Sequence, residues 1–130
     1  MYRDRTCHID PERDYLREQI RKLVQFVAAL MGRAFENPHS AEARDELAAG
    51  ARRLFGHQYE VLARVTPQSA AMLLRHDPDR ILAYAEIVAI EGRLSGQSGD
   101  EVGARRLALR AATLAELAYA HGLADPRDLD

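Results

Sequence analysis

The stretch ILAYAEIVAIEGRLSGQSGDEVGARRLALRA, residues 81–111, decides the fold. Two apolar patterns of helical period flank the break Gly96-Gln97-Ser98-Gly99-Asp100. Before it Ile81, Leu82, Ala85, Val88 and Ala89 recur at three- and four-residue steps, and after it Leu107, Ala108, Ala111, Leu114, Ala115 and Ala118 do the same. Each set lines the core-facing side of a helix. Gly92, Gly99, Ala104 and Ala111 place small residues where two antiparallel helices joined by so short a turn would meet, so their backbones can approach closely. These four are the expected hairpin contacts. Asp77-Pro78 supplies a capping carboxylate and a first-turn proline, which predicts a helix from there to about Leu94. Asp100 opens the second helix and Gly122 is placed to stop it.

Upstream, the pattern between Gly56 and Asp77 is choppier. Tyr59, Val61, Leu62 and Val65 fit a short helical turn, and Thr66-Pro67 caps a brief helix carrying Ala70, Ala71, Leu73 and Leu74. This reads as a packed connector. Ser40 is expected to cap a helix through Phe55, with Leu47, Ala48, Ala51, Leu54 and Phe55 inward and Gly56 as its left-handed terminator. Asp10-Pro11 opens a first long helix whose stripe is Leu16, Ile20, Leu23, Val27, Leu30, Met31 and Ala34, ended by Asn37-Pro38. Val24, Phe26 and Phe35 fall off that stripe, so the helix is apolar on more than one side. It either runs through the centre of the domain or presents Val24, Phe26 and Phe35 as a self-association face to a second copy.

The expected architecture is therefore one all-α domain over residues 1–130. It has a frayed start at 1–9, a first hairpin at 10–55, a packed connector at 56–76, a second hairpin at 77–122 and a tail at 123–130, with about four long helices in all. No segment alternates apolar and polar residues over strand length, so no sheet is expected.

Composition bounds the function. A chain of 130 residues that is 47% hydrophobic and 29% charged has the balance of one globular domain. A net charge of -2 argues against a nucleic-acid surface, although 17 of the 18 basic residues are Arg and Arg52-Arg53 and Arg105-Arg106-Arg110 form clusters. Acids interleave with these arginines, as on solvated helix faces. The one cysteine, Cys7, has no internal partner, and no charged, apolar leader is read before the helices, so a bacterial or other cytoplasmic setting is expected. The densest apolar run, Leu23 to Phe35, is broken by polar residues and is short of the roughly 20 apolar residues of a membrane span.

Aligned by spacing, residues 81–111 resemble one tetratricopeptide repeat. Gly92 matches the small position of the repeat's first helix, Gly99 its turn glycine, and Ala104 and Ala111 the small positions of its second helix. Val88, Glu91, Ser95 and Ala108 depart from the motif, which favours an aromatic, an apolar residue, a tyrosine and an aromatic there. The match covers about a quarter of the chain. The whole chain also looks like a family of small bacterial helical proteins that opens on an Asp-Tyr-Leu-x-x-Gln-Ile segment, here Asp14 to Ile20, and ends in a repeat-like hairpin. That resemblance implies a fold only, a small tetratricopeptide-like bundle of stacked hairpins. One such repeat cannot bury its own apolar face, so the first hairpin and the connector must serve as its neighbours.

Chemical motifs are scarce. None of the five histidines lies three or four residues from another, as a chelating pair on one helix face requires, so no metal site is read and no cofactor is expected. No nucleophile elbow or phosphate loop occurs; Gly96-Gln-Ser-Gly99 superficially resembles the latter, but Asp100-Glu101 directly after it would repel an anion. The expected function is a non-enzymatic module that binds a protein partner or associates with itself, without nucleic acid or membrane. The alternative is a small enzyme or ligand-binding protein with a pocket near His57, Tyr59, His76 and Asp77, which a folded connector could bring together as bases, an orienting carboxylate and a phenol.

Overall fold

The computed structural model describes residues 14, 15, 17–22, 25 and 40–122. Residues 14, 15, 17–22 and 25 are helical. Five helices follow among the described residues: α1 (Ser40–Phe55), α2 (Gln58–Leu62), α3 (Pro67–Leu73), α4 (Pro78–Gln97) and α5 (Glu101–Ala120). The all-α reading holds, with no strand among the described residues. No described helix is long and apolar enough to cross a membrane.

Side chains set the starts of α3, α4 and α5, and left-handed residues set the ends of α1, α3 and α4. Thr66 Oγ1 accepts from the Ser69 amide at 3.1 Å, Asp77 Oδ1 from that of Asp79 at 3.0 Å, and Asp100 Oδ1 from that of Gly103 at 2.8 Å. Each cap satisfies an amide that has no partner within its helix, a contribution of about 0.5–2 kcal/mol. α1 is followed by Gly56 at φ +66° and α4 by Gly99 at φ +90°. At the latter, Asp100 N donates to Ser95 O at 2.9 Å and Gly99 N to Gly96 O at 3.1 Å, the paired bonds that close a helix around a left-handed residue. α3 ends by the same two bonds, from His76 N to Ala71 O and from Arg75 N to Met72 O, but without a glycine: Arg75 has φ 60° and His76 has φ 55°.

α4 and α5 form the hairpin, and theirs is the most extensive helix contact. α1 packs on α4, α3 packs on α5, and α2 bridges α1 and α3. The core runs along α4, where Ile81, Tyr84, Ile87, Val88 and Leu94 are buried, and takes in Leu47 and Ala51 of α1, Leu62, Leu74, and Leu114 and Ala118 of α5. Phe55 meets Tyr84 edge to face, ring centroids 6.0 Å apart. Arg44 of α1 donates to Ser98 Oγ at 2.5 Å, holding α1 against the end of α4. Ile20 is buried, and Arg17 pairs with buried Asp79 at 2.5 Å, which seats the N-terminal helical residues on the start of α4.

Several boundaries and facings differ from the sequence reading. Ser40 is the first helical residue rather than the residue before the helix. α4 runs past Leu94 to Gln97, because Gly96 tolerates the helix and the left-handed stop comes only at Gly99. Ala108 is exposed, although its spacing placed it with the inward stripe; it borders Gly92 through its backbone amide instead. Val61 is likewise exposed. The caps at Asp10 and Asn37-Pro38, most of the first stripe, and the face of Val24, Phe26 and Phe35 lie outside the described residues.

Candidate functional site

Two opposite charges enter the hairpin where its stripes are otherwise apolar. Glu91 follows Val88 by three residues on α4, and Arg110 follows Leu107 by three on α5 and precedes Leu114 by four. Both are drawn inward. The Arg110 guanidinium donates to Val65 O at 2.7 Å and to Leu62 O at 2.6 Å, and reaches the Tyr84 hydroxyl at 3.4 Å. It also lies over the Tyr84 ring, 5.8 Å from its centroid. Those carbonyls belong to the end of α2 and the turn after it, where the helix leaves acceptors without partners, and a planar fork of donors suits two of them at once.

Glu91 completes the cluster. Its Oε2 accepts from the Tyr59 hydroxyl at 2.7 Å. Burial raises the Glu91 carboxyl above its ordinary value, while the Tyr59 hydrogen bond and the positive charge of Arg110 pull the other way without cancelling it. Burial likewise raises the phenols of Tyr59 and Tyr84. At the surface Arg52 pairs with Glu60 at 2.8 Å and covers the Tyr59 ring. The connector is thus fastened to both helices of the hairpin by polar bonds as well as by apolar packing.

Arg110 also lines an open groove of about 500 Å³ between the connector and α5. Ala63 and Pro67 of the connector line it together with Ser95 of α4 and Arg106, Leu109 and Thr113 of α5. Leu109 is 71% exposed and Val102, two turns before it on the same helix, is 72% exposed. Arg106 and Arg110 are the two cationic side chains that line it, and Arg106 is exposed. Asp100, which also borders it, is engaged in capping α5.

The four expected hairpin residues occupy the α4–α5 interface and its turn. A Cβ built on Gly92 would come within 3.3 Å of both Ala104 O and Leu107 Cβ, so the small residue there is a condition of the close approach. Ala111 is buried and Ala104 half-buried, facing Gly96, whereas Gly99 acts through its φ of +90° with no atom near its missing side chain. His57, Tyr59, His76 and Asp77 each have a different engagement. His57 is exposed and makes no side-chain cap, Tyr59 faces Glu91, Asp77 caps α4, and the His76 ring meets that of His121. The sequence reading missed Arg110, taking it with Arg105 and Arg106 as a solvated face. Its position between Leu107 and Leu114, opposite an acid equally out of place at Glu91, is the signal that marks the pair. Compared with protein-family models, with curated proteins and with solved structures, the chain matches none.

Proposed function

We propose that this protein is a non-enzymatic interaction module that holds a short segment of a partner protein in the groove between its connector and α5. The observation that carries this reading is Leu109, a large apolar side chain left 71% exposed in the lining of a groove that Arg106 and Arg110 also line. Such a surface suits an apolar side chain against Pro67 and Leu109 and a carboxylate against Arg106. The tetratricopeptide-like spacing of Gly92, Gly99, Ala104 and Ala111 supports the same reading, and the network around Arg110 keeps the groove wall rigid before a partner arrives, which lowers the ordering cost of binding. The absence of an internal disulfide partner for Cys7 fits a cytoplasmic setting.

Panning a displayed library of random peptides on the purified chain tests the proposal. The expected outcome is an enriched consensus pairing an acid with an apolar residue, whose binding is lost in Arg106→Glu and in Leu109→Glu while both variants melt as the parent does. Failure to enrich, or peptides that bind the variants equally well, would overturn it. Light scattering on the same samples separates a foreign segment from a second copy: a dimer abolished by Leu109→Glu would make the occupant another molecule of this chain.

A further inference from the structure

We infer that His76 and His121 together form a two-imidazole site for a divalent transition-metal ion, a clip between the turn before α4 and the end of α5. The two residues are far apart in sequence, yet their ring centroids stand 4.3 Å apart with the planes tilted by 44°, and both residues are exposed, so an ion can reach them from solvent. Two nitrogens on one zinc ion, each bonded at about 2.0–2.1 Å, lie roughly 3 Å from each other, a separation that rotation of the rings within this contact can supply. Imidazole is the ligand shared by zinc, nickel and copper, which sets the chemical class of the ion. Among the described residues no group of three or more His, Cys, Asp and Glu side chains is gathered, so the two imidazoles are the ligands these residues supply.

A second observation singles out the same place. The bonds that close α3 require one left-handed residue, and Arg75 at φ 60° meets that need. His76 is left-handed too, at φ 55°, a conformation that costs a non-glycine residue about 1–2 kcal/mol and that the helix ending does not demand. What this conformation accompanies is the meeting of His76 with His121, the residue that terminates α5. Backbone strain at one member of a solvent-facing pair of imidazoles is the pattern of a functional constraint. Ordinary ring packing would explain the contact but predicts no response to metal.

The experiment is thermal unfolding of the full chain, stripped with chelator and titrated with zinc or nickel chloride, beside His76→Asn and His121→Asn. Asparagine accepts the left-handed conformation, so His76→Asn keeps the turn. The expected result is a rise in Tm of several degrees for the parent that chelator reverses, and its loss in either variant. Nickel added to a sample with labelled histidines should broaden the imidazole signals of His76 and His121 together, ahead of those of His8, His39 and His57. An unchanged Tm in the parent, an equal rise in either variant, or broadening that begins at another histidine would overturn the assignment. None of these readouts depends on the groove, so its failure as a peptide site would leave them intact.

Discussion

The Tyr59 hydroxyl donates to Oε2 of Glu91 across 2.7 Å, joining a helix of five residues to the middle of one of 20. Five residues are too few to form a stable helix alone, because nucleation costs more than so few hydrogen bonds return. α2 therefore exists by virtue of what it touches: the buried faces of Tyr59 and Leu62, this hydrogen bond, and the Arg110 guanidinium at its far end. The turn that follows it, whose Ala63 lines the candidate groove, therefore rests on borrowed stability.

Glu91 should make stability depend on pH in a definite sense. Burial raises its carboxyl in the folded chain above the ordinary 4.5, so the folded state binds that proton more tightly than the unfolded state. Its stabilising contribution is complete below the ordinary value and is lost as pH rises through the raised one. Glu91→Gln removes this titration while keeping an acceptor for Tyr59. The melting temperature of the parent minus that of the variant should therefore fall as pH increases from about 4 to about 8; paired melts check it, and a flat difference would refute it.

Arg110→Met should destabilise the fold by about 2 kcal/mol, since the carbonyls of Leu62 and Val65 lose a charged donor in a partly buried place. Arg110→Lys should recover only part of this, because an ammonium cannot present two fixed donors to two carbonyls in one plane. Urea denaturation curves measure both. The loss should also appear as faster amide exchange in 58–65.

The two glycines of α4 should respond in opposite ways to alanine. At Gly92 the added carbon would press on Ala104 O and Leu107 Cβ, each at 3.3 Å, and the two helices would have to part, a cost of about 1–3 kcal/mol. At Gly96 it would meet Ala104 Cβ at 3.6 Å, an ordinary contact, so the gain in helix propensity should stabilise the chain by about 0.5–1 kcal/mol. Thermal melts of the two single variants give the signs directly.

Arg75→Gly should stabilise the protein by about 1 kcal/mol. Arg75 is exposed and holds φ 60° at the end of α3, a conformation that glycine adopts without steric cost. A fall in Tm would show that the guanidinium makes a contact worth more than the backbone strain.

Much of this architecture was legible in the chain because it is written in local signals. Thr66-Pro67, Asp77-Pro78 and Asp100 announce helix starts through chemistry that acts within three residues, and each is found capping its helix. Gly56 and Gly99 announce stops in the same way. The end of α3 was hidden because arginine and histidine carry no preference strong enough to mark a left-handed turn. The site was harder to read, since the sequence lists Arg110 among exposed arginines and separates His76 from His121 by the whole hairpin. Only packing decides that one arginine turns inward and that two distant rings meet. Glu91 stood out as a departure from the repeat pattern, and the reason lies in Tyr59 and Arg110, which need an acceptor and an anion where the motif would put an apolar residue.

α4 is covered by α1 and the N-terminal helical residues, and by α5, with half of its residues withdrawn from solvent. Any partial opening that lifts one neighbour leaves the others in place, so the backbone amides of Ile81 to Leu94 should be the last to take up deuterium. In that sense the molecule is organised as a spindle: its surface helices can be loosened, exchanged or redesigned one at a time while the axis they wind upon stays whole.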